Sequence, residues 1–188
     1  MTFLPVSISA DAGLLILRVV IGLLFIGHGL QKLAGWFGGY GIDATAGYFA
    51  SLGLRPARLW AILAGLGETL GGAGLVLGLL TPLAAAAIVA VMLSAIAFQH
   101  WPKGLWISNG GYEYNLVLLA AMATIGLMGA GQYSLDAAWR IGLPPVPTFV
   151  VGVVLAVIAL AIELITAERK AEARPAEAVP QVPAAKAA

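Results

Sequence analysis

The sequence has no cysteine, few charged side chains and no recognisable nucleotide-binding motif. Without cysteine, the chain forms no disulfide, offers no thiolate to a metal and has no thiol for catalysis. Charged residues make up 10% of the 188, whereas an average soluble domain is about one quarter charged. Hydrophobic residues make up 61% and the mean hydropathy is +0.96, so the composition predicts an integral membrane protein.

The low net charge and the lack of metal-ligand and signal-peptide patterns limit the range of functions. A net charge of +1 gives no indication of a nucleic-acid partner. We expect no metal site and no removable signal peptide, because the sequence has no convincing set of metal ligands and no basic N-terminal segment. A chain without thiols, metal ligands or a nucleotide motif does not supply electron transfer by itself.

Five apolar spans follow one another along the chain. They cover about residues 12–33, 59–80, 81–99, 114–130 and 148–165. The last three are short, at about 17 residues, which is the low end for a hydrocarbon core of about 30 Å. Thr81-Pro82 is typical of an N-cap and first helical turn, so we expect the second and third spans to form a tight antiparallel hairpin.

We therefore predict an all-α integral membrane protein with a four-helix transmembrane bundle, a fifth C-terminal transmembrane helix and a disordered tail. The predicted parts are an N-terminal segment (1–11), the bundle (12–131), a connection with the fifth helix (132–166) and a tail (167–188) rich in Ala, Pro and Glu. The first connection is expected to contain a short interfacial helix N-capped by Asp43.

Lys and Arg are concentrated on one side of the predicted membrane. That side holds Lys32, Arg55, Arg58, Lys103, Arg169, Lys170, Arg174 and Lys186, and the opposite side has Arg140 with Arg18 just inside the membrane. Because cytoplasmic loops carry the excess of Lys and Arg, we predict the N-terminus outside and the C-terminus in the cytoplasm.

Ionisable residues within the spans are the functional candidates, because a charge at membrane depth costs several kcal/mol unless it is paired or hydrated. Helical spacing places Arg18 and Lys32 on one face of the first span, with His28 at its edge. From the helical rise we predict a polar column with Arg18 and Glu68 in its deeper part. Its cytoplasmic mouth is expected to contain His28, Lys32, His100 and Glu113.

Two interpretations of Glu68 stay open. In the first, the residue is structural: the glycines around it pack helices, and Glu68 is either held by Arg18 or protonated. In the second, Glu68 carries protons or binds a polar ligand. The candidates for proton transfer or polar ligand contacts are Glu68, His28 and Arg18. The candidates for binding a cofactor are His28, Lys32, His100 and Glu113.

The two histidines are the minimum for a bis-histidine haem. A haem needs its ligands opposed across a plane, which two histidines alone do not show, so we disfavour a haem. The position of His100 beside Trp101 is consistent with an interfacial role. Both histidines are also consistent with hydrogen bonding or proton transfer to a bound redox or polar ligand. Glu113 either starts a helix at the interface or contacts the ligand.

The polar and glycine residues of the first four spans occur in a characteristic order. It runs Leu17-Arg18, Gly22, Phe25, His28-Gly29 and Lys32; then Glu68, Gly71-Gly72 and Leu77-Gly78-Leu79 before Thr81; then His100 and Gly110-Gly111-Tyr112-Glu113-Tyr114. Over about residues 13–130 the chain thus resembles the DoxX family of small bacterial and archaeal membrane proteins. The resemblance implies a four-helix bundle in the bacterial inner membrane. It also implies a link to quinol oxidases, thiosulfate:quinone oxidoreduction or oxidative-stress complexes. The fifth span and the tail depart from the basic pattern.

The function expected from residues and resemblance together is a membrane subunit of a quinone-linked oxidoreductase system. A quinone or similar small molecule would bind in a polar intramembrane cavity, and a redox partner protein would exchange the electrons. One alternative is a non-catalytic binding or assembly protein that recruits a redox or stress-response partner; another is a small transporter or proton pathway. Whether the chain is itself catalytic, and whether it forms homo-oligomers in the lipid bilayer, stays open.

Overall fold

The computed structural model describes residues 9–167, and these form helices joined by turns, without a β-strand. The seven α-helices of this part are α1 (Ala10–Leu33), α2 (Gly41–Ser51), α3 (Ala57–Leu77), α4 (Thr81–Ala95), α5 (Glu113–Met128), α6 (Leu135–Ala138) and α7 (Pro145–Thr166). The five predicted apolar spans correspond to α1, α3, α4, α5 and α7, so the all-α membrane class is confirmed.

Four helical segments are long and apolar enough to cross a membrane: residues 10–33, 57–77, 81–103 and 145–166. Among the five apolar spans of the described residues, the one that forms α5 is short, with 16 residues, or about 24 Å of helix. The prediction that the third and fifth spans are equally short was wrong. The third span continues through a π-helical turn, Ile96–His100, into the 3₁₀ turn Trp101–Lys103. The fifth span is longer because α7 begins before its apolar run, with Pro145 in its first turn.

Glycines allow α1 and α3 to cross in direct backbone contact. A Cβ atom on Gly22 would lie 2.6 Å from the Gly72 carbonyl oxygen, and one on Gly72 would lie 2.8 Å from the backbone nitrogen of Ile26. Further along, Gly29 faces Gly65. Side chains larger than hydrogen would push the helices apart, so these residues set the register of the α1–α3 pair.

The helix α4 occupies the centre of the bundle and packs against α3, α5 and α7. Most of its side chains are buried, many of them alanines, which lets three neighbours approach it at once. Its Ile88 is fully buried, as are Leu75 of α3 and Met122 of α5. Gly152 of α7 faces Ala86, and α7 runs parallel to α4. Large apolar side chains on the outer faces remain exposed, as expected where a helix contacts lipid.

The first connection contains the predicted short helix, α2, but its start differs. The helix begins at Gly41 with Tyr40 as its N-cap, and Asp43 lies in the first turn instead of capping it. The Asp43 carboxylate forms an exposed ion pair with Arg58 at the start of α3. The predicted N-terminal segment up to residue 8 and the tail from residue 168 lie outside the described residues.

Candidate functional site

A partly buried ion pair joins α1 and α3. Lys32 Nζ lies 2.5 Å from Glu68 Oε2, and the Glu68 side chain is only 3% exposed. Because Gly29 faces Gly65 and Thr69, Glu68 is level with about residue 28, one turn before Lys32. Side chains on a helix lean towards its N-terminus, so the long Lys32 side chain extends along α1 to reach the carboxylate.

His28 lies one turn from Lys32 on the same face of α1. Its Nδ1 forms a 3.2 Å hydrogen bond with Gln31 Oε1, and the Gln31 amide donates to the Phe37 carbonyl oxygen at 3.1 Å. The imidazole also meets the Phe25 ring edge-on. Within residues 9–167 no hydrogen bond forms at His28 Nε2. The ring is therefore held in place with one nitrogen free.

A cavity of about 810 Å³ lies beside the Lys32–Glu68 pair. Side chains of α1, α2, α3, α4, α5 and α7 line it, and the deeper part of its wall is apolar, with Leu24 and Phe25 one turn below His28. The polar lining residues lie on the side where α1, α4 and α7 end. This volume is within the range of about 300–1,000 Å³ typical of small-molecule sites.

The opposite wall adds polar groups that the sequence analysis had not selected. Ser94 Oγ donates to Glu163 Oε2 at 2.5 Å, linking α4 to α7. Asn115 of α5 donates to Met92 Sδ at 3.3 Å, and all four residues line the cavity. A usable signal existed for Glu163, because a carboxyl group within an apolar span is a functional candidate in its own right.

Aromatic residues and the π-helical turn close the loop side of the cavity. Tyr48 and Phe49 of α2 and Trp60 of α3 line this end. Burial raises the pKa of the Tyr48 phenol, so this group is an un-ionised hydrogen-bond donor at neutral pH. His100, at the end of the π-helical turn, also lines the cavity, and its Nδ1 forms a 2.7 Å hydrogen bond with the Gly110 carbonyl oxygen.

Arg18 lies at the opposite end of the bundle. Its side chain is fully buried, and Nη2 donates to the Tyr133 carbonyl oxygen at 2.6 Å. Within the described chain, Nε and Nη1 have no hydrogen-bond partner. Since Glu68 is level with about residue 28, Arg18 and Glu68 are about ten residues apart along α1, or about 15 Å. The expected column joining Arg18 to Glu68 is therefore not formed, and Lys32 takes the place expected for Arg18.

The segment 131–140 covers the end of the bundle where Arg18 is buried. The Asp136 carboxylate accepts hydrogen bonds from the backbone nitrogens of Leu80 (2.8 Å) and Thr81 (3.0 Å). Leu80 itself has a φ of 48°. Helix α4 thus begins at Thr81, as expected. Its N-terminal backbone nitrogens are capped by the carboxylate of Asp136, whereas the sequence had suggested Thr81 as the N-cap.

Glu113 starts α5, as its position at a predicted helix start suggested. Its Oε2 accepts a 2.9 Å hydrogen bond from the Ile107 backbone nitrogen, which shapes the preceding loop, and Glu113 does not line the cavity.

The structure thus brings four of the six predicted site residues to one cavity: His28, Lys32, Glu68 and His100. It leaves Arg18 and Glu113 outside. Within residues 9–167 no three His, Asp or Glu side chains cluster as metal ligands would.

Residues 13–101 match the DoxX family. Over this segment the chain belongs to the DoxX family. The DoxX segment begins within the first turns of α1 and ends just after the π-helical turn that follows α4. It therefore includes His28, Lys32, Glu68 and His100. It ends before α5 and α7, so Asn115 and Glu163 complete the cavity from outside it. Comparison with curated proteins and with solved structures gave no match.

Proposed function

We propose that this DoxX protein is a membrane subunit of a quinone-linked oxidoreductase system. The cavity would bind a quinone head-group or a similar small molecule. The observation that supports the proposal is the Lys32–Glu68 ion pair, whose carboxylate is buried at the wall of a large and mostly apolar cavity. Forming an ion pair at this depth costs desolvation energy. A polar ligand that bonds to the remaining donors and acceptors of the pair explains the presence of these charges better than helix packing does.

The chemistry of the lining suits a quinone. A quinone has a flat apolar ring, two carbonyl oxygens that accept hydrogen bonds, and an apolar tail. The Lys32 ammonium group is a donor for a carbonyl oxygen of the quinone, and the deeper wall around Leu24 and Phe25 is apolar. Because His28 Nδ1 donates to Gln31 Oε1, Nε2 of the neutral His28 ring is an acceptor for a quinol hydroxyl group. Two electrons and two protons convert a quinone into a quinol. The electrons would come from a redox partner protein, because the side chains of this chain include no thiol.

The resemblance to DoxX proteins supports the same assignment, since members of that family are linked to quinone-dependent oxidation. The assembly alternative uses the same cavity: the ligand would be bound without being reduced, and the loops would recruit the partner. The transporter alternative gains no support from the described helices, because the lining of the cavity does not extend to Arg18.

Binding of a short-chain quinone to the full-length protein in nanodiscs tests the proposal. We expect saturable binding, and membrane quinone that co-purifies with the protein. Lys32→Met and Glu68→Gln should each weaken binding about tenfold or more, because each removes a charged partner. Asp43→Asn is the matched control, since it breaks the exposed Asp43–Arg58 pair and should leave binding unchanged. A folded wild-type protein without saturable quinone binding would contradict the proposal.

A further inference from the structure

Glu163 is a second carboxyl group at the same cavity. It lies on α7, outside the DoxX segment, and only 7% of the residue is exposed. Its Oε2 accepts the 2.5 Å hydrogen bond from Ser94 Oγ. Within residues 9–167 no other hydrogen bond to this carboxyl group is formed, so Oε1 is free.

The two carboxyl groups differ in their partners. Glu68 has the Lys32 ammonium group at 2.5 Å, whereas no Lys, Arg or His in the described part of the chain lies within ion-pair distance of Glu163. The helices packed against α7 are α4 and α5. The polar side chains that these helices and the π-helical turn present to the cavity, besides His100 at its loop end, are Ser94, Gln99, Tyr114 and Asn115, none of which is a cation.

The helix registers place the two carboxyl groups less than two helical turns apart in depth. Gly67 faces Val91 and Ala87 of α4, so in this antiparallel pair Glu68 is level with about residue 88, and Glu163 is level with Ser94. The difference is about six residues, or about 9 Å along the bundle. Both side chains line the same cavity, so one ligand that occupies it can contact both groups from opposite walls.

An ionised carboxylate without a cation is costly at membrane depth, whereas a neutral carboxylic acid with one hydrogen bond is not. We propose that Glu163 is a neutral carboxylic acid that donates a hydrogen bond to a carbonyl oxygen of the ligand, while Glu68 is the ionised carboxylate of the pair with Lys32. The choice of a carbonyl-bearing ligand rests on the proposed function; the difference between the two carboxyl groups does not. The cavity thus separates an acid from a base, an arrangement that lets one site provide both.

Infrared spectroscopy of the full-length protein in an ester-free detergent tests the assignment. At neutral pH we expect a C=O stretching band of a protonated carboxylic acid, above the amide I band. Glu163→Gln should remove the band and Glu68→Gln should leave it. Glu163→Gln keeps an oxygen acceptor for Ser94, so we expect it to fold. Ser94→Ala should shift the band to higher frequency, because the carbonyl group loses its hydrogen bond. Absence of the band from wild type, or its loss in Glu68→Gln alone, would overturn the proposal.

Quinone binding by the same variants tests the donor role. Glu163→Leu, which has no donor, should weaken binding of a short-chain quinone about tenfold. Glu163→Gln, which keeps an N–H donor, should bind within about threefold of wild type. Equal loss in both variants would overturn the donor role. If wild type carries the Glu163 band but binds no quinone, the proposed function fails and the acid assignment stands.

Discussion

The guanidinium group of Arg18 lies directly against Gly78, the residue that caps the C-terminus of α3. Gly78 has a φ of 62°, and a Cβ atom there would overlap Arg18 Nη1 and lie within 3.0 Å of Arg18 Cζ. The left-handed backbone and the buried cation therefore both require glycine at this position. This contact belongs to the closed end of the bundle, away from the cavity.

Gly78→Ala should destabilise the protein by about 2 kcal/mol, because it combines left-handed strain with overlap on a buried side chain. The measurement is thermal unfolding in detergent. Gly27→Ala is the control, since a Cβ atom there meets nothing within 4 Å, and it should not lower the melting temperature. Equal melting temperatures for the two variants would contradict the close Arg18–Gly78 contact.

Arg18→Met should loosen the segment 131–140 without affecting the cavity. The variant removes the charged hydrogen bond to the Tyr133 carbonyl oxygen, worth about 1.5–3 kcal/mol. Amide hydrogen exchange in this segment should become at least tenfold faster. Quinone binding should stay the same, because Arg18 does not line the cavity. Loss of binding with unchanged exchange would instead place Arg18 in the ligand site.

Asp136→Ala should uncap α4. Two backbone nitrogens, those of Leu80 and Thr81, lose their acceptor, and loss of a helix cap costs about 1–2 kcal/mol. The check is the melting temperature, with hydrogen exchange at the start of α4. Asp136→Asn is the matched variant: it retains one acceptor oxygen and should recover part of the stability. A wild-type melting temperature for Asp136→Ala would show that the cap contributes little.

Lys32→Met should destabilise the protein by about 3 kcal/mol, because it leaves the Glu68 carboxylate buried without a cation. The double variant Lys32→Met/Glu68→Gln should recover much of this loss, since it buries no charge. Arg58→Met breaks only the exposed pair with Asp43 and should cost less than about 1 kcal/mol. Unfolding in denaturant, compared as a double-mutant cycle, measures the coupling. Additive effects of the two single substitutions would mean that the pair does not form.

Much of the fold follows from local pattern. Long apolar runs predict α1, α3, α4 and α7 because a helix satisfies its own backbone hydrogen bonds in lipid. The residues at which the helices begin and end were less predictable. Pro145 starts α7 ahead of its apolar run. The third span continues beyond α4 through the π-helical turn at His100. Hydropathy alone marks neither extension.

The candidate site was predictable only in part. His28, Lys32 and Glu68 stand out because an ionisable residue in an apolar span needs a partner. Their pairing did not follow from depth alone. From the helical rise, Arg18 was the partner considered for Glu68, and Lys32 was placed at the cytoplasmic mouth. The observed pairing with Lys32 depends on the α1–α3 register, which glycine contacts determine.

By itself, the sequence determined the class of this protein, the number of its apolar helices and the polar residues that require partners. These properties depend on composition and on local helical periodicity. Only the tertiary structure decided which of those residues meet. It paired Glu68 with Lys32, placed Arg18 at the closed end, and brought Glu163 of α7 to the cavity, because contacts between helices depend on register and on packing across distant parts of the chain.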